Sequence, residues 1–511
     1  MNALPPYAEF ETGTRSDPRP HAVVIGSGFG GLAAAIRLGA RGYRVSVLER
    51  LAEPGGRASV FRQDGFTFDA GPTIITAPFL LEELWALAGR RLADDVQLRS
   101  ISPFYRIRFN DGTNFDCAGD PAFMREQVGR LAPDDLAGYE QFVGLSERIY
   151  QIGFEQLAHK AFGSWVDMLR ILPELVRLSG YRSVSGLVNR YIRDPRLRIA
   201  LSFHPLLVGG NPLNTSAIYC LILYLERKSG VHFPVGGTGA LVAGMARLIR
   251  GQGNALRTNT TVTRILVEDG RATGVALETG ESIEADIVVS NACAGWTYKN
   301  LLGDQTRRRW TDQRIGRAKF SMGLFVWYFG TSRQFPDVPH HTILLGPRHD
   351  ELLRDIFDRK LLAADFSLYL HRPTATDPAL APPGCDAFYV LSPVPNLLGN
   401  VDWAVQAEPY RQAIEAYLNA HILPGLSHCI VSSKVITPAD FLGRHLSLHG
   451  AGFGMEPRLT QSAWFRPHNK SEEVENLFLV GAGTHPGAGV PGVLSSAKVL
   501  DEVVPDAAVL R

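Results

Sequence analysis

Gly26, Gly28 and Gly31 follow the apolar run His21-Ala-Val-Val-Ile25 at G-x-G-x-x-G spacing, and Glu49 closes the next apolar run eighteen residues later. These residue types suit one task, the holding of a pyrophosphate. Gly26 permits a tight turn out of a strand, and Gly28 with Gly30 lets the backbone approach a ligand that a Cβ would obstruct. Gly31 lets the following Ala-rich helix pack against the strand. That helix begins where free N–H groups and the positive end of its dipole meet negative charge. Glu49, with Arg50 after it, is spaced to take the two hydroxyls of an adenosine ribose. The strand–helix–strand context makes this a dinucleotide site rather than a mere Gly-rich turn.

Further glycines indicate which dinucleotide. Glu53-Pro-Gly55-Gly56-Arg57 lies just past the ribose acid, and Gly71-Pro72 ends the alternating run Phe66-Thr-Phe68-Asp69. Near the other end of the chain come Gly481, Gly483, Thr484, His485 and then Gly489-Val490-Pro491-Gly492-Val493. This segment reads as strand, loop and a helix from about Val493. A helix N-terminus beneath a flavin would stabilise negative charge on the reduced ring. A simple nicotinamide dehydrogenase needs no such second segment, so the cofactor expected is FAD.

Asp167 and Arg170 are the first candidates for proton handling. Three residues apart, they share a helical face and each sets the other's charge state. They lie in a stretch, Lys160 to Ala200, that carries eight Lys/Arg against three acids. Apolar stripes beside basic residues suit a helix lying in the interface of an anionic membrane.

Composition sets the outer limits. The 511 residues allow several domains, and a net charge of +1 shows no nucleic-acid footprint. Five scattered cysteines without a C-x-x-C form neither a disulfide framework nor a zinc site, which suits a reducing cytoplasm. His340-His341 is read as a neighbouring pair only, and no metal is expected. Residues 1–20 are polar and Pro-rich and read as a disordered tail rather than a signal peptide. No apolar run is long enough to span a bilayer, so any membrane association is peripheral.

The elements that must position these residues give an α/β fold. A Rossmann-like FAD-binding domain is expected from three separated pieces, 21–75, 231–300 and 441–511. Between them, 76–230 and 301–440 form a substrate domain of mixed sheet and helix, with 121–230 helical and membrane-associating.

The chain resembles the bacterial-type phytoene desaturases, FAD-dependent carotenoid dehydrogenases of the wider flavin amine-oxidase superfamily. The likeness runs from about His21 to Lys498. VVIGSGFGGLAAAIRL (23–38) and EPGGRA (53–58) would fit many flavoproteins. FPVGGTGALVAGM (233–245), DFSLYLHRPTATDPALAPPGC (365–385), LTQSAWFRPHN (459–469) and VGAGTHPGAGVPGVLSSAK (480–498) are more specific. The resemblance implies a peripheral enzyme on the inner face of the membrane. It also implies a C40 substrate, phytoene, desaturated stepwise to neurosporene or lycopene, with oxygen or a quinone as final electron acceptor. It matches Asp167-Met-Leu-Arg170 to a segment proposed to supply acid–base groups near the flavin. Related enzymes act on hydroxylated or C30 carotenoids, or are ketolases or isomerases. A non-enzymatic prenyl-lipid escort protein and an amine oxidase stay open as alternatives.

Overall fold

The structure, a computed structural model, describes residues 17–303, 305 and 307–510. The expected tail lies outside the described residues up to position 16. At Asp17 and Arg19 the chain is already engaged, in an ion pair of 2.7 Å that leads into the first strand.

His21–Ile25 is the centre of a five-stranded sheet. Its neighbours are Arg44–Leu48 and then Ala255–Arg257 on one side, Ile287–Ser290 and then Leu477–Leu479 on the other, all parallel. Every residue of His21–Ile25 and of Ile287–Ser290 is buried, as parallel strands covered on both faces require. Helix Phe29–Ala40 makes the first crossover, its Leu32–Ile36 run fully enclosed. The sheet therefore draws on 21–48, 255–290 and 477–479, with an antiparallel layer of Val262–Glu268, Arg271–Leu277 and Ser282–Glu284 beside it. This is an α/β fold of the Rossmann type. Val231–Pro234, which the sequence groups with the cofactor pieces, pairs instead with Leu98–Ile101, a backbone partner that no local pattern announces.

A second, seven-stranded sheet backs the rest of the molecule. Its longest strands, Gly323–Thr331 and Asp386–Val394, pair antiparallel over nine residues. Gly323–Thr331 is buried at all nine positions, and the two-residue strand period explains how. Phe325, Trp327 and Phe329 pack beneath helix Trp403–His421 with its Tyr410, Ile414 and Leu418. Met322, Leu324, Val326 and Tyr328 face the other way, into a large cavity. The helical insert, Pro121 to Ser229, closes over that cavity.

Asp69 ends the strand Phe66–Asp69 with Oδ1 accepting the Thr238 N–H at 2.8 Å, while its Oδ2 has no partner. Burial pushes this carboxyl up to about 7 despite the N–H donors. A folded pKa above the unfolded one means the native state binds the extra proton. Its contribution is complete below the unfolded pKa near 4 and is lost as pH rises to about 7. Asp69→Asn, which keeps the acceptor for Thr238, is expected to flatten the fall of melting temperature between pH 5 and 8. Thermal melts across that range check it; an unchanged slope contradicts it.

Candidate functional site

The cavity, about 620 Å³, runs from the glycine turns at the edge of the parallel sheet to the exposed helix of the insert. Gly26, Gly28, Gly30, Glu49, Arg50, Gly55, Gly56, Arg57, Gly71 and Pro72 line one part of it. Gly481, His485, Gly489, Val490, Pro491, Gly492 and Val493 come to the same wall from the other end of the chain. The two glycine segments touch: a Cβ on Gly30 would stand 2.9 Å from the Gly481 Cα. Gly31 lies behind the lining, where a Cβ would meet the Gly26 carbonyl oxygen at 2.0 Å. Its role is the close helix–strand packing expected of it.

Two expected cofactor contacts are placed differently. Gly483 and Thr484 do not line the main cavity. Gly483 packs on Ala294, and the buried Thr484 hydroxyl donates to the Pro467 carbonyl at 2.5 Å. Gly483 instead lines a small adjoining pocket with Arg57, Asn291 and Cys293. Helix Val490–Lys498 also starts at Val490, three residues earlier than expected, with Gly489 as its N-cap residue at φ 93°.

Glu49 is fixed by its neighbours. Its Oε2 accepts from the Ser27 N–H at 2.8 Å and the Ser27 hydroxyl at 2.7 Å, and Oε1 accepts from the Leu51 N–H. Arg57 faces the cavity with a buried Nε that has no partner, and its NH2 donates to Ser447 Oγ at 3.0 Å. Burial lowers its pKa below the usual guanidinium value. Arg50, Arg444 and His445 line the same region, and burial together with these arginines holds His445 down to about 3. An unpartnered guanidinium N–H among three arginines is what a pyrophosphate would complete, so the residues fit an anionic dinucleotide. His485 is neutral, pushed to about 4 by burial, and its Nε2 lies 3.0 Å from the Leu157 carbonyl; it ties the loop to the insert.

Helix Trp165–Arg177 forms the outer wall and carries three stripes. Met168, Ile171 and Leu175 face the cavity. Trp165, Leu169, Leu172 and Val176 face outward, 47–62% exposed. The third stripe is Asp167, Arg170, Glu174 and Arg177. The structure does bring Asp167 and Arg170 together, at 3.6 Å, but neither lines the cavity. Asp167 is instead half of a capping box, its Oδ2 accepting from the Ser164 N–H and hydroxyl at 3.0 and 2.9 Å. Arg170 is 75% exposed. Glu174, four residues beyond Arg170, is 40% exposed and its Oε1 accepts from Arg177 at 3.4 Å, but it also reaches the cavity, where its Oε2 is buried without a partner.

Sequence reasoning missed several groups. Asn291 follows strand Ile287–Ser290 and wedges between the two glycine segments; its place just past a parallel strand's carboxyl end was a usable signal. Thr73, Tyr369 and Tyr389 form a hydroxyl cluster on the far wall, with Thr73 Oγ1 2.8 Å from Tyr389 and 3.1 Å from Tyr369. His371 joins His340-His341, which is therefore more than a neighbouring pair.

The fold and this cavity define a flavin-dependent oxidoreductase that takes FAD. Residues 29–499 match the model of the flavin-containing amine oxidoreductases, and the chain belongs to that family. It is 52% identical over 491 residues to the neurosporene-forming phytoene desaturase of Cereibacter sphaeroides, covering 95% of each chain. Against the lycopene-forming phytoene desaturase of Pseudescherichia vulneris it is 50% identical, over 93% of this chain and 97% of that one. Among solved structures, a putrescine oxidase variant superposes with a TM-score of 0.65 at 12% identity, over 96% of this chain and 99% of that one. Cyclohexylamine oxidase from Brevibacterium oxydans gives 0.61 at 15%, over 96% and 100%. These two likenesses carry the fold alone.

Proposed function

We propose that this enzyme desaturates phytoene in successive steps to neurosporene or lycopene, working at a membrane surface. The observation that carries the reading is the joining of a dinucleotide site and an apolar hydrocarbon slot in one continuous cavity. The names of the relatives at 50–52% identity support the substrate.

FAD, held by the glycine turns, Glu49 and Arg57, would supply a two-electron acceptor for the hydride equivalent lost from one of two adjacent substrate carbons. The protein supplies position, dryness and a proton acceptor. Met322, Leu324, Val326 and Leu391 grip a chain that offers no polar handle and keep water away. Glu174 Oε2 takes the proton from the neighbouring carbon. One methylene is worth only about 1–3 kcal/mol in such a slot, so mixed products follow from loose register control. Thr73, Tyr369 and Tyr389 give the far wall a polar spot. The final electron acceptor is oxygen or a quinone dissolved in the same membrane.

Docking falls to helix Trp165–Arg177, whose outward apolar stripe stays about half exposed. Arg170, Arg177 and Arg182 beside it suit anionic headgroups at the inner face. Among the described residues no helix is long and apolar enough to cross a membrane. Replacing Trp165, Leu169, Leu172 and Val176 by serine should weaken liposome binding by roughly a hundredfold or more, at about 1 kcal/mol for each half-inserted side chain. Bound flavin should be unaffected. Co-sedimentation with anionic liposomes measures this, and equal binding by the variant rules this helix out as the docking surface.

The substrate is tested by incubating the FAD-loaded protein with phytoene in liposomes and identifying pigments by absorption and mass. Lengthened conjugation supports the proposal. Oxygenated or isomerised product without added double bonds favours the ketolase or isomerase reading, and failure to hold flavin favours the escort reading.

A further inference from the structure

Behind the polar wall of the cavity lie three buried imidazoles from two places in the chain. His341 opens strand His341–Leu344 and stands directly opposite His371 in the antiparallel pairing, so both point to one face of the sheet. His340 reaches the same point from the preceding residue. One ligating nitrogen from each lies within 4.8 Å of the other two. His340 Nε2 and His371 Nε2 are 3.0 Å apart.

The remaining nitrogens divide into held and unheld. His340 Nδ1 lies 2.6 Å from Thr376 Oγ1, and His341 Nδ1 lies 2.6 Å from the Tyr369 hydroxyl. His341 Nε2 and His371 Nδ1 are buried with no partner. Phe233, 4.7 Å from the His340 ring, and Tyr105, 5.9 Å from the His341 ring, offer aromatic surface there. A hydrogen-bonded knot of neutral histidines would account for the 3.0 Å contact, but it leaves His341 Nε2 buried beside that pair without a partner. Buried polar atoms of this kind call for a missing partner.

We propose that His340, His341 and His371 bind one divalent transition-metal ion of the zinc class. Three imidazoles with no thiolate suit such an ion. Two of them are oriented through Nδ1 by a hydroxyl, the outer contact that fixes the tautomer of a ligating histidine. All three side chains are buried. A tetrahedral zinc site spaces its nitrogens by about 3.3 Å, close to the His340–His371 separation. The wider gap to His341 closes by rotation about its soft terminal torsion. The charged pair facing the site, Arg372 with Asp386 at 3.2 Å, is self-compensating. The fourth position is left to water.

Occupancy would reach the cavity through Tyr369. With His341 Nε2 on the metal, its Nδ1 carries the proton and donates to the Tyr369 oxygen. The Tyr369 hydroxyl must then donate outward, to Thr73 Oγ1. The ion thereby sets the direction of the polar spot on the cavity wall and ties the ends of two strands together.

The test uses FAD-loaded protein purified without chelator or metal-affinity resin. Elemental analysis is expected to find about one transition-metal equivalent per chain. Treatment with a strong chelator should lower the melting temperature, and added Zn²⁺ should restore it. Co²⁺ loading should give the visible absorption of a tetrahedral site. His371→Leu and His340→Gln should lose both metal and Co²⁺ spectrum while keeping bound flavin. The proposal is overturned if the wild-type protein holds no stoichiometric metal as isolated and, after chelation, shows neither a Zn²⁺-dependent thermal shift nor a Co²⁺ spectrum. Metal content unchanged in both histidine variants overturns it equally.

Discussion

Gly31→Val should yield a chain that does not hold FAD. The new Cβ would stand 2.0 Å from the Gly26 carbonyl oxygen and 3.2 Å from the Asn291 Cβ. Backbone of the parallel sheet's central strand cannot yield by that amount, so the helix start must lift away from the turn. The same displacement opens the Gly30–Gly481 approach that joins the two halves of the cavity. Flavin content, read from visible absorbance of the purified protein, is expected to fall at least roughly tenfold, and desaturation with it. Gly144→Ala is the control. A Cβ there meets nothing within 4 Å, and the residue lies inside helix Leu136–Tyr150. Alanine should leave flavin unchanged and add up to about 1 kcal/mol of stability. Normal flavin content in Gly31→Val would contradict the packing account of the turn.

The second large effect separates two carboxylates on one helix. Glu174→Gln is expected to lower kcat by roughly 10²–10⁴, the usual contribution of a positioned base, with flavin content and liposome binding unchanged. Asp167→Asn keeps an oxygen to accept from Ser164 and loses only the charge at the helix N-terminus, so it should cost roughly 0.3–1 kcal/mol of helix stability. Its kcat should stay within a few-fold. The ion pair with the exposed Arg170 adds roughly 0–1 kcal/mol. Single-turnover rates of the two variants decide the matter. A large loss in Asp167→Asn with none in Glu174→Gln would return the acid–base role to Asp167 and Arg170, as the resemblance implied.

What could be read from the sequence follows from how local each feature is. Gly26, Gly28, Gly31 and Glu49 lie within one strand–helix–strand unit, so their spacing alone carries their geometry. The C-terminal glycines were legible as a segment, but their contact with Gly30 is flanked by Asn291, a residue with no motif around it. The arginine cluster of Arg50, Arg57 and Arg444 joins positions almost four hundred residues apart. Asp167 shows a different ambiguity. Ser164-x-x-Asp167 is a capping-box pattern in plain view, yet a carboxylate three residues before an arginine reads equally well as an acid–base pair. Only the helix's orientation, with Met168, Ile171 and Leu175 inward, puts Glu174 on the cavity. His371 met His340-His341 through strand register, which the twenty-nine residues between His341 and His371 conceal.

The central claim is that one cavity holds both flavin and hydrocarbon, so that each double bond made reduces the flavin beside it. Anaerobic mixing of FAD-loaded enzyme with phytoene in liposomes tests this most directly. Oxidised-flavin absorbance should fall in step with the rise of a longer polyene, at about one new double bond per flavin, and stop until oxygen or a quinone is added. Polyene formed while the flavin stays oxidised, or flavin reduced with no new double bond, would contradict it.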